Sequence, residues 1–140
     1  MADLRLVIQE DITLDSNNRS TIFTKTLTDV NYIDHRTMNT TSGVETTIFS
    51  LGESPGAGTF INSSLVYARI SNLSPTSSIN LKISSSTENM NYSIDAGGSF
   101  MLSTSKMTGS LEEFVYDDIS SLKIEPSIGS AKVEYFVATS

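Results

Sequence analysis

No cysteine occurs in the chain, which removes disulfides, thiolate metal sites and thiol nucleophiles together and leaves stability to packing. Tryptophan is also missing, so any ring-stacking site would have to use tyrosine or phenylalanine. Cations are scarce: nine Lys and Arg face sixteen Asp and Glu, for a net charge of −7. Binding to nucleic acid draws on Lys and Arg that release counterions from phosphates, and the few present here do not cluster, so no nucleic-acid partner is expected. No apolar run approaches the roughly 20 residues that span a bilayer. The start, Met1-Ala2-Asp3-Leu4, lacks the basic and apolar regions of a signal peptide. The expectation is a chain with no membrane partner, retained in the cell that makes it.

Serine and threonine, by contrast, supply 40 of the 140 residues. Threonine suits half-buried pleated surfaces and serine suits turns, whereas the strong helix formers are sparse. The length is that of one ordinary domain with one core. We therefore expect a single β-sandwich domain over residues 1–140, with 1–15 as an extended N-terminal arm or edge strand.

The apolar pattern supports strands throughout. Leu4, Leu6 and Ile8 alternate with Arg5, Val7 and Gln9, and Ile79, Leu81 and Ile83 alternate with polar residues. Ser20 to Leu27 and Val30 to Met38 read as strands, as does Val44 to Leu51 after the Ser42-Gly43 turn. Leu65 to Ile70 is the densest apolar run and predicts a central strand covered on both faces. Tyr92 and Ile94, the turn Asp95-Ala96-Gly97-Gly98, and Phe100 and Leu102 suggest a hairpin. Leu122 and Ile124, then Val133, Tyr135 and Val137, give the last two strands. Leu111 to Tyr116 fits a helical turn as well as it fits a strand. About nine to ten short strands in all predict an antiparallel, jelly-roll-like β-sandwich.

Searching for chemistry gives little. His35, between Asp34 and Arg36, has the surroundings of a tuned base, but no motif marks a nucleophile, and a surface or interface histidine accounts for it. Glu112-Glu113 and Asp117-Asp118 are acid pairs able to offer oxygens to a hard cation, yet the EF-hand order and its glycine are missing, so a solvated acidic loop is expected. Gly52 to Gly58 is Gly-rich without the Lys-Ser or Lys-Thr of a phosphate-binding loop. Five tyrosines, Tyr32, Tyr67, Tyr92, Tyr116 and Tyr135, could stack sugars if they gathered on one face, but alternation within strands points to packing. We expect no catalytic residue, no cofactor and no metal.

One resemblance goes further than the composition. The stretch Val66-Tyr67-Ala68-Arg69-Ile70-Ser71-Asn72-Leu73 is followed by Ile79-Asn80-Leu81-Lys82-Ile83, by Ile94-Asp95-Ala96-Gly97-Gly98-Ser99-Phe100-Met101-Leu102, and by Val133-Glu134-Tyr135-Phe136-Val137-Ala138. In that order, from about residue 65 to the end, it resembles small virion proteins of tailed bacteriophages, marine ones especially. The earlier residues match only at Thr46-Thr47-Ile48-Phe49 and Gly58-Thr59-Phe60, and Ala96-Gly97-Gly98 stands where the family has alanine-proline-glycine. The resemblance implies a jelly-roll-like structural protein, a decoration or cement protein that stabilises a phage head. It implies as partners the major capsid protein or other virion proteins, assembly as a homotrimer, and a place on the virion after assembly in the host cytoplasm. A tail, collar or fibre component, among them a carbohydrate-binding module, is the alternative; a small hydrolase with unmarked carboxylates is a third reading. For protein contacts the expected residues are Leu4, Leu6 and Ile8, because an end segment can add a strand to a neighbouring sheet, and Gly56 and Gly58 in the loop.

Overall fold

Isoleucine or leucine at every second position from 79 to 83 places three aliphatic side chains on one face of a strand, and all three are buried. The same rule, repeated along the chain, builds the molecule. A computed structural model describes residues 2–52, 56–61, 65–104, 109–111, 114–116 and 118–140. Its strands are β1 (Ala2–Glu10), β2 (Thr13–Leu14), β3 (Asn17–Asn18), β4 (Thr21–Val30), β5 (Tyr32–Thr41), β6 (Thr46–Gly52), β7 (Thr59–Ile61) and β8 (Leu65–Asn72). They continue as β9 (Ile79–Ser84), β10 (Asn89–Ile94), β11 (Ser99–Leu102), β12 (Gly109–Leu111), β13 (Phe114–Tyr116), β14 (Ser121–Pro126) and β15 (Ser130–Thr139). The described residues contain no helix.

Two sheets pack face to face as a β-sandwich. One has five strands in the order β10-β9-β14-β6-β7 and the other four in the order β11-β8-β15-β5. Every pairing is antiparallel except β6 with β7. The core between them takes Phe49, Ile79, Leu81, Leu122 and Ile124 from the larger sheet and Ala68, Ile70, Val133, Tyr135 and Val137 from the smaller. Burying each large aliphatic side chain is worth about 1.5–3 kcal/mol, so this layer is the main source of stability. Aromatic pairs close the two seams. Tyr92 lies 5.3 Å from Phe100 at one, and Tyr32 lies 5.6 Å from Phe60 at the other.

The β8 strand, interior to its sheet, is buried on both sides, as the apolar run predicts. The turn after Ile94 is not the turn of a hairpin: β10 pairs with β9, and β11 pairs with β8 in the opposite sheet. The reason lies in Asn72, which is 1% exposed. Its Nδ2 donates to the carbonyls of Ser77 (2.8 Å), Ile94 (3.1 Å) and Asp95 (3.1 Å), and its Oδ1 accepts from the Ser74 N–H at 3.0 Å. The main chain adds Gly97 N–H to Asn72 O (3.1 Å) and Asn72 N–H to Gly98 O (2.9 Å). The end of β8 thus holds the 95–98 turn and sends the chain across the sandwich. Gly97 adopts φ +76°, and a Cβ on Gly98 would sit 3.1 Å from the Asp95 carbonyl, so both glycines serve this crossing. Of the helical turn and the strand that fit Leu111 to Tyr116 equally in sequence, the strand is found: Gly109–Leu111 and Phe114–Tyr116 pair as β12 and β13.

Residues 2–30 join neither of the two sheets. Among the described residues β1 and β4 pair only with each other, and β2 with β3 forms a small hairpin at the far end, turning through Asp15 and Ser16 at positive φ. One residue, Asn31, separates β4 from β5, and its N–H donates to Thr139 O at 2.9 Å. The sequence's single strand from Val30 to Met38 is therefore divided: Val30 ends the arm and Tyr32 begins the sandwich.

Candidate interaction surface

The pairings Leu4↔Leu27, Leu6↔Lys25 and Ile8↔Phe23 put Leu4, Leu6, Ile8, Phe23 and Leu27 on one face of the arm. Where that face meets the sandwich, Leu4, Leu6 and Leu27 pack against Val30, Tyr67 and Ala138, with Val66 and Phe136 beside them. Farther out the ribbon's apolar side chains are open to solvent. Phe23 is 55% exposed on this face, Ile22 62% and Val7 46% on the other, and Ile12 and Leu14 are exposed beyond them. At about 3.3 Å per residue the ten residues of β4 reach about 33 Å.

A two-stranded ribbon is at best marginally stable in water and needs a further strand or a packed face. This one also has two outer edges with no strand neighbour among the described residues. Unpaired edges and exposed apolar groups on one element form a template for another chain. A bulge at the base, where the register shifts between Ala2 and Leu4 and Asp29 takes φ +62°, sets the angle at which the arm leaves the body.

Leu4, Leu6 and Ile8 are thus brought together, all three half-buried, on the arm. Gly56 and Gly58 are elsewhere. They flank a tight turn in which the Gly56 and Thr59 main chains exchange hydrogen bonds of 3.1 and 3.0 Å, at the β5/β7 seam. Ile22 and Phe23, adjacent in a Thr-rich strand, fall on opposite faces of the ribbon, and the sequence pattern alone does not distinguish an uncovered ribbon from a strand covered on both sides.

The other candidates fall as follows. His35 lies on the outer face of the smaller sheet, 3.3 Å from Glu134 and with its ring centroid 5.8 Å from Phe136. Glu134 also takes an ion pair from Arg69 at 2.6 Å, and Arg69 together with His35 holds its carboxyl below the usual range. Asp34 and Arg36, one position either side of His35, point the opposite way by strand alternation. Asp34 accepts from Arg36 Nε (2.8 Å) and from the Tyr135 hydroxyl (3.0 Å); burial, then that hydrogen bond, pushes Tyr135 up to about 12. Of the tyrosines, Tyr67 and Tyr135 are buried, while Tyr32 and Tyr92 are exposed at opposite seams and do not gather. The acids Glu112, Glu113 and Asp117 lie outside the described residues. No protein-family model and no curated protein matches the chain.

Proposed function

We propose that this is a structural protein that assembles with other protein chains through the β1/β4 arm. The observation that carries this reading is the arm itself, a ribbon whose two edges have no strand neighbour among the described residues, with Val7, Ile22 and Phe23 on it and Ile12 and Leu14 beyond it each about half exposed or more. Burying even three of them would contribute several kcal/mol at about 1.5–3 kcal/mol each. Taken with the resemblance of the sequence to small virion proteins of tailed phages, the assembly is the surface of a phage head, the chain a decoration or cement protein bound as a homotrimer to the major capsid protein. A symmetric lattice repeats one small patch many times, so that weak contacts hold firmly.

The order of the strands supports the finer fold. Setting β7 aside, β5, β15, β8 and β11 form one four-strand layer and β6, β14, β9 and β10 the other, with the chain exchanging layers as it does in a jelly roll. Fold alone does not decide function, and tail and collar positions would use the same arm. The deciding experiment is light scattering of the purified protein together with co-sedimentation with emptied phage heads. A trimer that pellets with the heads and raises their melting temperature is expected; a monomer that stays in the supernatant would overturn the proposal.

A further inference from the structure

One of the two seams of the sandwich holds a cavity of about 550 Å³, within the roughly 300–1,000 Å³ of small-ligand sites. It lies between β5 and β7, lined by Tyr32, Asp34, Arg36, Thr59 and Phe60, with the Gly56–Gly58 backbone at its rim. A second cavity, about 340 Å³, is lined by Glu45, Lys82, Lys123 and Glu125 without an aromatic ring; Glu45 pairs with both lysines at 3.2–3.3 Å and Glu125 accepts from the Gly43 N–H at 2.8 Å.

Three features of the first cavity belong together. The Tyr32 ring rests against Phe60, which is itself braced by Phe49 at 6.1 Å, and yet Tyr32 remains 53% exposed, so it is a fixed aromatic platform open to solvent. The Arg36 guanidinium is oriented by its Nε bond to Asp34, and its two Nη groups have no partner among the described residues. Asp34 is in turn locked by the Tyr135 hydroxyl, so the polar pair is rigid and carries no net charge. A ligand that fits must offer an apolar face to a ring and oxygen acceptors to two N–H donors at its edge. It also has no reason to be an anion, since the chain as a whole bears −7 and the local pair is neutral.

We propose that this cavity is a binding site for a neutral pyranose sugar, whose C–H face lies on Tyr32 and whose hydroxyl oxygens accept from Arg36 Nη. The site is separate from the arm, and it requires Tyr32 to stay accessible in the assembled protein. Both halves of the recognition are needed, because stacking alone gives no orientation and two donors alone do not outcompete water.

Saturation-transfer NMR on the full chain with the methyl glycosides of glucose, galactose and mannose, with N-acetylglucosamine, and with glucuronate as the charged comparator tests this. At least one neutral sugar is expected to bind at about millimolar Kd. Tyr32→Ala should weaken it at least about tenfold while Tyr92→Ala, at the opposite seam, leaves it unchanged. Circular dichroism of both variants establishes that they are folded, as expected for side chains that are about half exposed. No transfer from any neutral sugar, tighter binding of glucuronate, binding that survives Tyr32→Ala, or a Tyr32 ring buried in the assembled oligomer would each overturn the proposal.

Discussion

Replacing Asn72 with alanine should cost more stability than any change of similar size on the surface. The side chain is 1% exposed, and its amide covers the carbonyls of Ser77, Ile94 and Asp95 while its oxygen accepts from Ser74 N–H. Two amide hydrogens serve three carbonyls, so one is shared, and removal leaves two or three buried main-chain groups without a partner. At about 1–3 kcal/mol for each buried group left unpaired, the loss is about 3–5 kcal/mol, a large fraction of the roughly 5–15 kcal/mol of a typical domain. For a chain of this length that is a fall of about 10–15 °C in melting temperature. Asn72→Asp keeps the shape but turns a carboxylate oxygen toward three carbonyls; it should be at least as damaging at neutral pH and recover partly in acid, where one oxygen becomes a donor. Thermal and urea unfolding of both variants measure this. A drop below about 1 kcal/mol in both would refute the idea that this side chain holds the crossing between the sheets.

Raising the pH should destabilise the protein through Tyr135. Its hydroxyl ionises near 12 in the folded state against 10.0 ordinarily, so stability is intact below about 10 and falls as pH rises toward 12, because the unfolded chain has released a proton that the folded one keeps. The slope is about 1.4 kcal/mol per pH unit, and unfolding free energies across that window, with an absorbance titration of the phenolate, check it. In the core, Leu81→Ala should cost about 2–5 kcal/mol in urea unfolding, since the residue is 0% exposed between the sheets.

Where local rules decide, the sequence could be read well. Ile79, Leu81 and Ile83 alternate strictly because one face is buried and the other wet, and the Leu65–Ile70 run is continuous because that strand is covered on both faces, by the opposite sheet at Ala68 and Ile70 and by the arm at Tyr67. The turn at 95–98 is legible as a turn but not as a crossing, because turn residues report that the chain reverses and not which strand it joins next; that choice is made by Asn72, more than twenty residues earlier. Tyrosines in β-strands look alike in sequence, yet neighbours in space bury Tyr135 against Asp34 and leave Tyr32 open. Leu4, Leu6 and Ile8 could be recognised as a strand with an apolar face. The outer half of that face, at Phe23, could not, because a half-buried and an uncovered strand share the same alternation. Gly56 and Gly58 were legible as a turn, but the cavity they rim depends on β5 coming to lie at the edge of its sheet beside β7.

The central claim is that the arm joins chains, and the most direct test compares the solution mass of the unmodified protein with that of the double variant Ile22→Asp, Phe23→Asp. Both residues are more than half exposed, so the substitutions should leave the sandwich and its melting temperature intact while placing a charge on each face of the ribbon, where an interface would have to desolvate it. The account predicts an oligomer for the unmodified chain and a folded monomer for the variant. An unmodified chain that is monomeric, or a variant that remains fully oligomeric, would contradict it.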